Sequence, residues 1–163
     1  MKKLLVLLVF SLMNLVSFSA MKDGIYYVEK SYDSEWKSFV KITVKNDKVI
    51  GAQYDRKNSE GVLMSLDQKE NDKAKAKYGL TFRDMSFLLT RSVVSAQKVE
   101  SNATVKDSGS VDEFTKMVDY LIEKANSGED GSYKLLFIGK RLFSVNSLLY
   151  YLSILIFILS YNI

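Results

Sequence analysis

The chain has 163 residues, 47% of them hydrophobic, 26% charged and 12% aromatic, a globular composition sized for one domain. It contains no histidine, no cysteine and no proline, which excludes serine-histidine triads, cysteine nucleophiles, disulfides and imidazole or thiolate metal sites. The formal charge is +4, but removing Lys2 and Lys3 from the 23 basic residues leaves 21 against 19 acidic, a net of +2. The signs alternate along the chain, so the pattern is a mixed solvated surface and not a nucleic-acid patch.

Lys2-Lys3 precedes an apolar stretch from Leu4 to Val16 that only Ser11 and Asn14 interrupt. This is the charged-then-apolar pattern of a secretory signal peptide, and Ser17-Phe18-Ser19 places small residues where a signal peptidase reads. Cleavage after Ser19 leaves an exported chain beginning at Ala20; an uncleaved N-terminal anchor is the alternative.

Ile25 to Val28 is rich in aromatic and branched residues and predicts a strand. Phe39 to Lys45 alternates, with Val40, Ile42 and Val44 on one side and Lys41, Thr43 and Lys45 on the other. Asn46-Asp47-Lys48 predicts a tight turn. Val49 to Tyr54 returns as a second strand, with Ile50, Ala52 and Tyr54 expected on one face.

Arg56 to Lys77 is polar, with a short helix expected over Asn71 to Lys77. Thr81 and Asp84 have capping-box spacing, and Phe82, Met85, Leu88, Leu89 and Val93 then recur on one helical face, predicting a helix over 82–94. Ser110 and Glu113 have the same spacing. Val111, Phe114, Met117, Val118, Leu121, Ile122 and Ala125 form the apolar stripe of the next helix. Gly128 is suited to end it in a left-handed conformation. Such stripes predict core, not a site.

After Lys140-Arg141, residues 142–163 carry no charge. As a helix these 22 residues span about 33 Å, enough for a bilayer core. A membrane anchor is one reading, although Lys140 and Arg141 on the outer side run against the positive-inside rule. A non-native extension, or a buried strand or helix, are the others. The resulting organisation is a signal peptide over 1–19, a domain over 20–134 of about 115 residues and the apolar segment over 142–163.

The order Asp23-Gly24-Ile25-Tyr26, Trp36 through Val49, and Tyr54-Asp55-Arg56-Lys57-Asn58 resembles the extracytoplasmic FMN-binding domain family, in particular its flavin-carrying surface lipoproteins. The likeness runs from Asp23 to about Ala125. It implies an α+β fold in which a curved antiparallel sheet packs against two or three helices. It also implies a carrier role in electron transfer at the cell envelope, with no enzymatic turnover of its own and an unnamed redox partner. In this family FMN is joined by a phosphodiester to a threonine in a [Ser/Thr]-Gly-Ala-[Ser/Thr]-[Ser/Thr] loop. The nearest match is Ser101-Asn102-Ala103-Thr104-Val105, where Asn102 replaces the glycine and Val105 replaces a hydroxyl. Asparagine is the next most tolerant residue of a left-handed backbone. Ser108-Gly109-Ser110 is better placed against the following helix but lacks the Ala-Thr pair.

The resemblance thus implies FMN, joined covalently at Thr104 or held non-covalently by the same loop. Its phosphate is expected at the helix start near Ser108 and Ser110. Trp36, Tyr54 or Tyr78 are candidates to stack on the ring. A flavin-free surface binding or structural module is the second reading, and the state of the threonine loop separates the two.

Overall fold

A computed structural model describes residues 20–30, 35–99, 104–129, 131–138 and 141–144. Both the expected signal segment and Ser101-Asn102-Ala103 lie outside these residues. The chain forms β1 (Gly24–Lys30), β2 (Lys37–Lys45), β3 (Lys48–Lys57), a single 3-10 turn (Met64–Leu66), α1 (Gln68–Tyr78), α2 (Phe82–Ala96), α3 (Ser108–Asn126), β4 (Gly131–Ile138) and β5 (Arg141–Ser144). The strands order as β3-β2-β1-β4-β5 in one sheet.

The β2–β3 hairpin turns on Asn46 and Asp47, both left-handed at φ 51° and 59°, which is the two-residue turn whose twist matches that of the strands. Two aspartates brace it: Asn46 N–H donates to Asp23 Oδ1 at 2.7 Å and Met21 N–H to Asp47 Oδ1 at 2.8 Å. The expected facing of β3 needs one correction. Val44 pairs with Val49 and Thr43 with Gly51, so Ile50 is an extra, bulged residue. The bulge reverses the alternation: Val49 is buried and Ile50 is 53% exposed. The Gln97 side chain stands in as a strand partner here, accepting from Val49 N–H at 2.8 Å and donating to Val49 C=O at 3.0 Å.

α1 starts three residues earlier than Asn71, because Asp67 caps it through Glu70 N–H at 3.0 Å. Its buried residue is polar: Asn71 donates to the carbonyls of Met64, Ser65 and Asp67 and accepts from Arg83 N–H. α2 begins at the expected capping box, Thr81 Oγ1 accepting from Asp84 N–H at 3.0 Å. α3 ends at Gly128 (φ 74°), where Gly128 N–H reaches Ala125 C=O and Glu129 N–H reaches Lys124 C=O. This is the paired arrangement that satisfies a helix's last carbonyls.

α2 packs on β3 and α3 on β1 and β2. Tyr26, Val28, Val40, Ile42, Val44, Val49 and Tyr54 of the sheet meet Phe82, Met85, Leu89 and Val93 of α2 and Phe114, Met117, Val118 and Leu121 of α3 in one core. The protein is therefore α+β, with its helices against the sheet as expected. The sheet is mixed, however, because β4 follows α3 as a crossover and lies parallel to β1. Tyr133 of β4 meets Tyr120 of α3 edge-on at 5.4 Å.

β4 extends to Ile138 and pairs with β5, so position 134 falls inside a strand. Leu142–Ser144, the first residues of the uncharged stretch, belong to β5; its remainder lies outside the described residues. Among the described residues no helix is long and apolar enough to cross a membrane.

Phe114 and Leu121 are fully buried. Alanine at either position should cost about 2–5 kcal/mol, from lost transfer energy and the cavity left behind. Urea unfolding checks this, and a loss below about 0.5 kcal/mol at both would mean that α3 presents another face to the sheet.

Candidate functional site

The same inward registers that build the core also carry polar residues into it. Lys30 continues the Tyr26–Val28 face of β1, and Ser38 continues the Val40–Ile42 face of β2. Tyr54 of β3 is buried beside Arg56, whose side chain is 24% exposed. On α3, Ser110 and Glu113 sit one turn apart on the buried face that continues through Phe114 and Met117. Four elements thus converge on one carboxylate. Glu113 Oε2 accepts from Lys30 Nζ at 3.0 Å, and Oε1 accepts from the Tyr54 hydroxyl at 3.1 Å. Arg56 Nη2 stands 3.6 Å from Oε1. Arg56 also donates from Nε to Ser38 Oγ at 3.2 Å, and from Nη2 to Ser110 Oγ at 3.0 Å and Tyr54 Oη at 3.3 Å.

Burial pushes the Glu113 carboxyl up, but Arg56, Ser38 and Lys30 together hold it below the ordinary carboxylate range. Burial lowers the Lys30 ammonium; Glu113 offsets this only in part, and the nearby Arg56 and Lys116 cations lower it further. Burial also pushes the Tyr54 phenol up, so it remains a protonated donor to Glu113.

This arrangement corrects the expected Ser110–Glu113 capping box. Asp107 is the N-cap: its Oδ1 accepts from Ser110 N–H at 3.3 Å and its Oδ2 from Ser110 Oγ–H at 2.6 Å. The same three-residue spacing arises when a helix begins earlier and both residues face inward. The correction also bears on the expected phosphate position. Ser110 is buried and committed to Asp107 and Arg56, and a carboxylate already occupies the start of α3. Ser108, the first residue of that helix, is exposed, and its N–H donates to Lys106 C=O at 3.0 Å. Thr104 is exposed, while Val105 is buried in the core and pins the segment.

Of the aromatics considered for stacking, Tyr54 is interior, and Trp36 and Tyr78 are partly buried at the edge of the core. Tyr78 borders a cleft of about 180 Å³ between α1 and the end of β3. Arg56, Lys73, Lys77 and Asp107 also line it, over a floor that includes Phe82 and Met85. The Arg56 guanidinium lies over the Phe82 ring at 5.2 Å, a cation–π contact. Arg56 therefore joins the buried network to the cleft. Among the described residues no cluster of acidic side chains suits a metal ion.

No family model matches the chain, and no curated protein does either. Among solved structures, the CPE2226 protein of Clostridium perfringens superposes with a TM-score of 0.66 at 20% identity, over 72% of this chain and 99% of that one. That likeness supports the fold alone. A Clostridium thermocellum protein solved by NMR also matches at 20% identity, over 66% of this chain and 88% of that one, with a TM-score of 0.34.

Glu113→Ala should cost about 3–5 kcal/mol by leaving Lys30 buried without its partner. The pH dependence has a defined sign. A carboxyl held below its ordinary value contributes stability above that value, near 4.5, and the contribution fades as pH falls through the lowered value. Urea unfolding from about pH 7 to about pH 3 should show a shallower acid loss for Glu113→Gln than for the wild type. Parallel losses would show that the folded protein does not hold Glu113 below its unfolded-state value.

Proposed function

We propose that this is an exported FMN-binding-like domain that carries a flavin for electron transfer at the cell envelope and has no turnover of its own. The single observation that carries the reading is the position of Thr104. It is exposed and precedes Asp107, which borders the cleft, by three residues. Three residues reach at most about 10 Å, so a group tethered at Thr104 can contact the cleft. The lining suits part of a flavin: Tyr78 for the ring, and the Arg56, Lys73 and Lys77 cations for anionic atoms. At about 180 Å³ the cleft is smaller than the ~300–1,000 Å³ sites that enclose a whole ligand. It would seat one portion and leave the rest in solvent, which suits a carrier that must meet a partner. When bound, FMN supplies the electron-transfer chemistry, while the chain tethers and orients it. Ser101, Asn102 and Ala103 complete the proposed attachment loop.

A second reading, a flavin-free surface binding module, is favoured by one observation. Asp107 places a carboxylate at the α3 N-terminus, where helix geometry otherwise welcomes a phosphate.

Co-expression with a flavin transferase, followed by intact mass and fluorescence of the denatured band, separates the readings. The carrier reading predicts an added FMN mass in the wild type that is absent in Thr104→Val. No added mass, together with no flavin retained by the native protein, would leave the flavin-free module.

A further inference from the structure

We propose that the cleft between α1 and the end of β3 recognises the phosphate or carboxylate of a small ligand whose planar part lies along Tyr78. Arg56 carries the argument. Its Nε and Nη2 are committed to Ser38, Ser110 and Tyr54, which fixes the guanidinium in place over Phe82. Among the described residues Nη1 has no hydrogen-bond partner, and Arg56 lines the cleft. A guanidinium already held rigid loses little freedom on meeting an anion, and its donors match a planar or tetrahedral oxyanion.

Two further cations border the same space. Lys73 and Lys77 lie four residues apart, on one side of α1. Lys73 is paired with Glu70 at 2.6 Å, but its side chain is 59% exposed, and exposed pairs of this kind are weak. Lys77 lies 4.9 Å from the Tyr78 ring centroid, beside the surface proposed for the planar part. Against these three cations stand the carboxylates of Glu70 and Asp107, the latter engaged by Ser110, and Glu113, 3.6 Å from Arg56 but also neutralised by Lys30. The balance favours an anion, and the apolar floor of Phe82 and Met85 favours a ligand with a ring over a bare ion.

The inference deepens the carrier reading and rests on it for the choice of FMN as probe. The purified full chain is titrated with FMN, with riboflavin and with inorganic phosphate, following flavin fluorescence and thermal melting. FMN should bind about 10-fold or more tighter than riboflavin, because only FMN brings a charge-assisted contact. Inorganic phosphate should compete with FMN. The double variant Lys73→Gln/Lys77→Gln changes two exposed side chains and should melt like the wild type, while its preference for FMN over riboflavin narrows several-fold without vanishing, because Arg56 remains. Equal binding of FMN and riboflavin, an unaffected double variant, or no binding of FMN would each overturn the inference. Covalent loading at Thr104 is read by mass and is independent of these titrations, so the two proposals can fail separately.

Discussion

One carboxylate sets the geometry of this protein. Glu113 is the buried anion to which α3 brings Lys30 of β1 and Tyr54 and Arg56 of β3. Ser38 of β2 accepts from Arg56 and also hydrogen-bonds the Glu113 carboxylate. Apolar packing alone would let α3 slide or rotate on the sheet at modest cost, since hydrophobic contacts are non-directional. A buried ion pair does not tolerate such a shift, because an ion moved out of reach of its partner retains its full desolvation cost. The stripe of Phe114, Met117 and Leu121 supplies the burial energy, and the network selects one register for it. Hydrogen bonds from three strands to one helix also account for Ser38 and Ser110, which would otherwise be small polar residues in an apolar layer.

The network ends at the surface. Arg56 spans the two environments, with one edge of its guanidinium in the core and the rest bordering the cleft beside α1. An interior constraint thereby becomes a surface property: a cation held at a fixed position, near an aromatic side chain, in a cleft whose Asp107 lies three residues of chain from an exposed threonine. α1 has few apolar residues of its own. Asn71 clamps it to the carbonyls of Met64, Ser65 and Asp67, so these hydrogen bonds, with Ala74 and Tyr78 packed at the edge of the core, hold the cleft wall bearing Lys73 and Lys77.

Much of the fold was legible from the residues. The Asn-Asp turn, the Thr81–Asp84 cap and Gly128 are local signals whose chemistry admits few alternatives, and each stands where it was expected. Three features were not legible, for different reasons. The bulge at Ile50 was hidden because strict alternation assumes an unbroken ladder, and the Gln97 side chain that accommodates it comes from the end of α2. β4 was missed because its partner β1 lies about a hundred positions earlier, and a parallel pair leaves no turn signature. The buried network was missed because charged residues are read as exposed unless a partner is known. Ser110 and Glu113 matched a capping box, yet the buried stripe one turn further along placed them on the inward face. Asp107, three residues before Ser110, was the available signal for an earlier start. In the proposed attachment loop Val105 stands where the family motif has a hydroxyl, and its burial gives it a packing role that a motif alone cannot express.

The account depends on Lys30 and Glu113 acting as a unit, and a double-mutant cycle measures that directly. Urea unfolding of Lys30→Met, Glu113→Gln and the combined variant isolates their coupling. The account predicts that the double variant is more stable than the summed single losses imply, by about 1.5 kcal/mol or more, because each single change strands a buried polar partner. Losses that add to within about 0.5 kcal/mol would show that the two residues are merely neighbours, and would remove the constraint on which the placement of α3 and Arg56 has been argued.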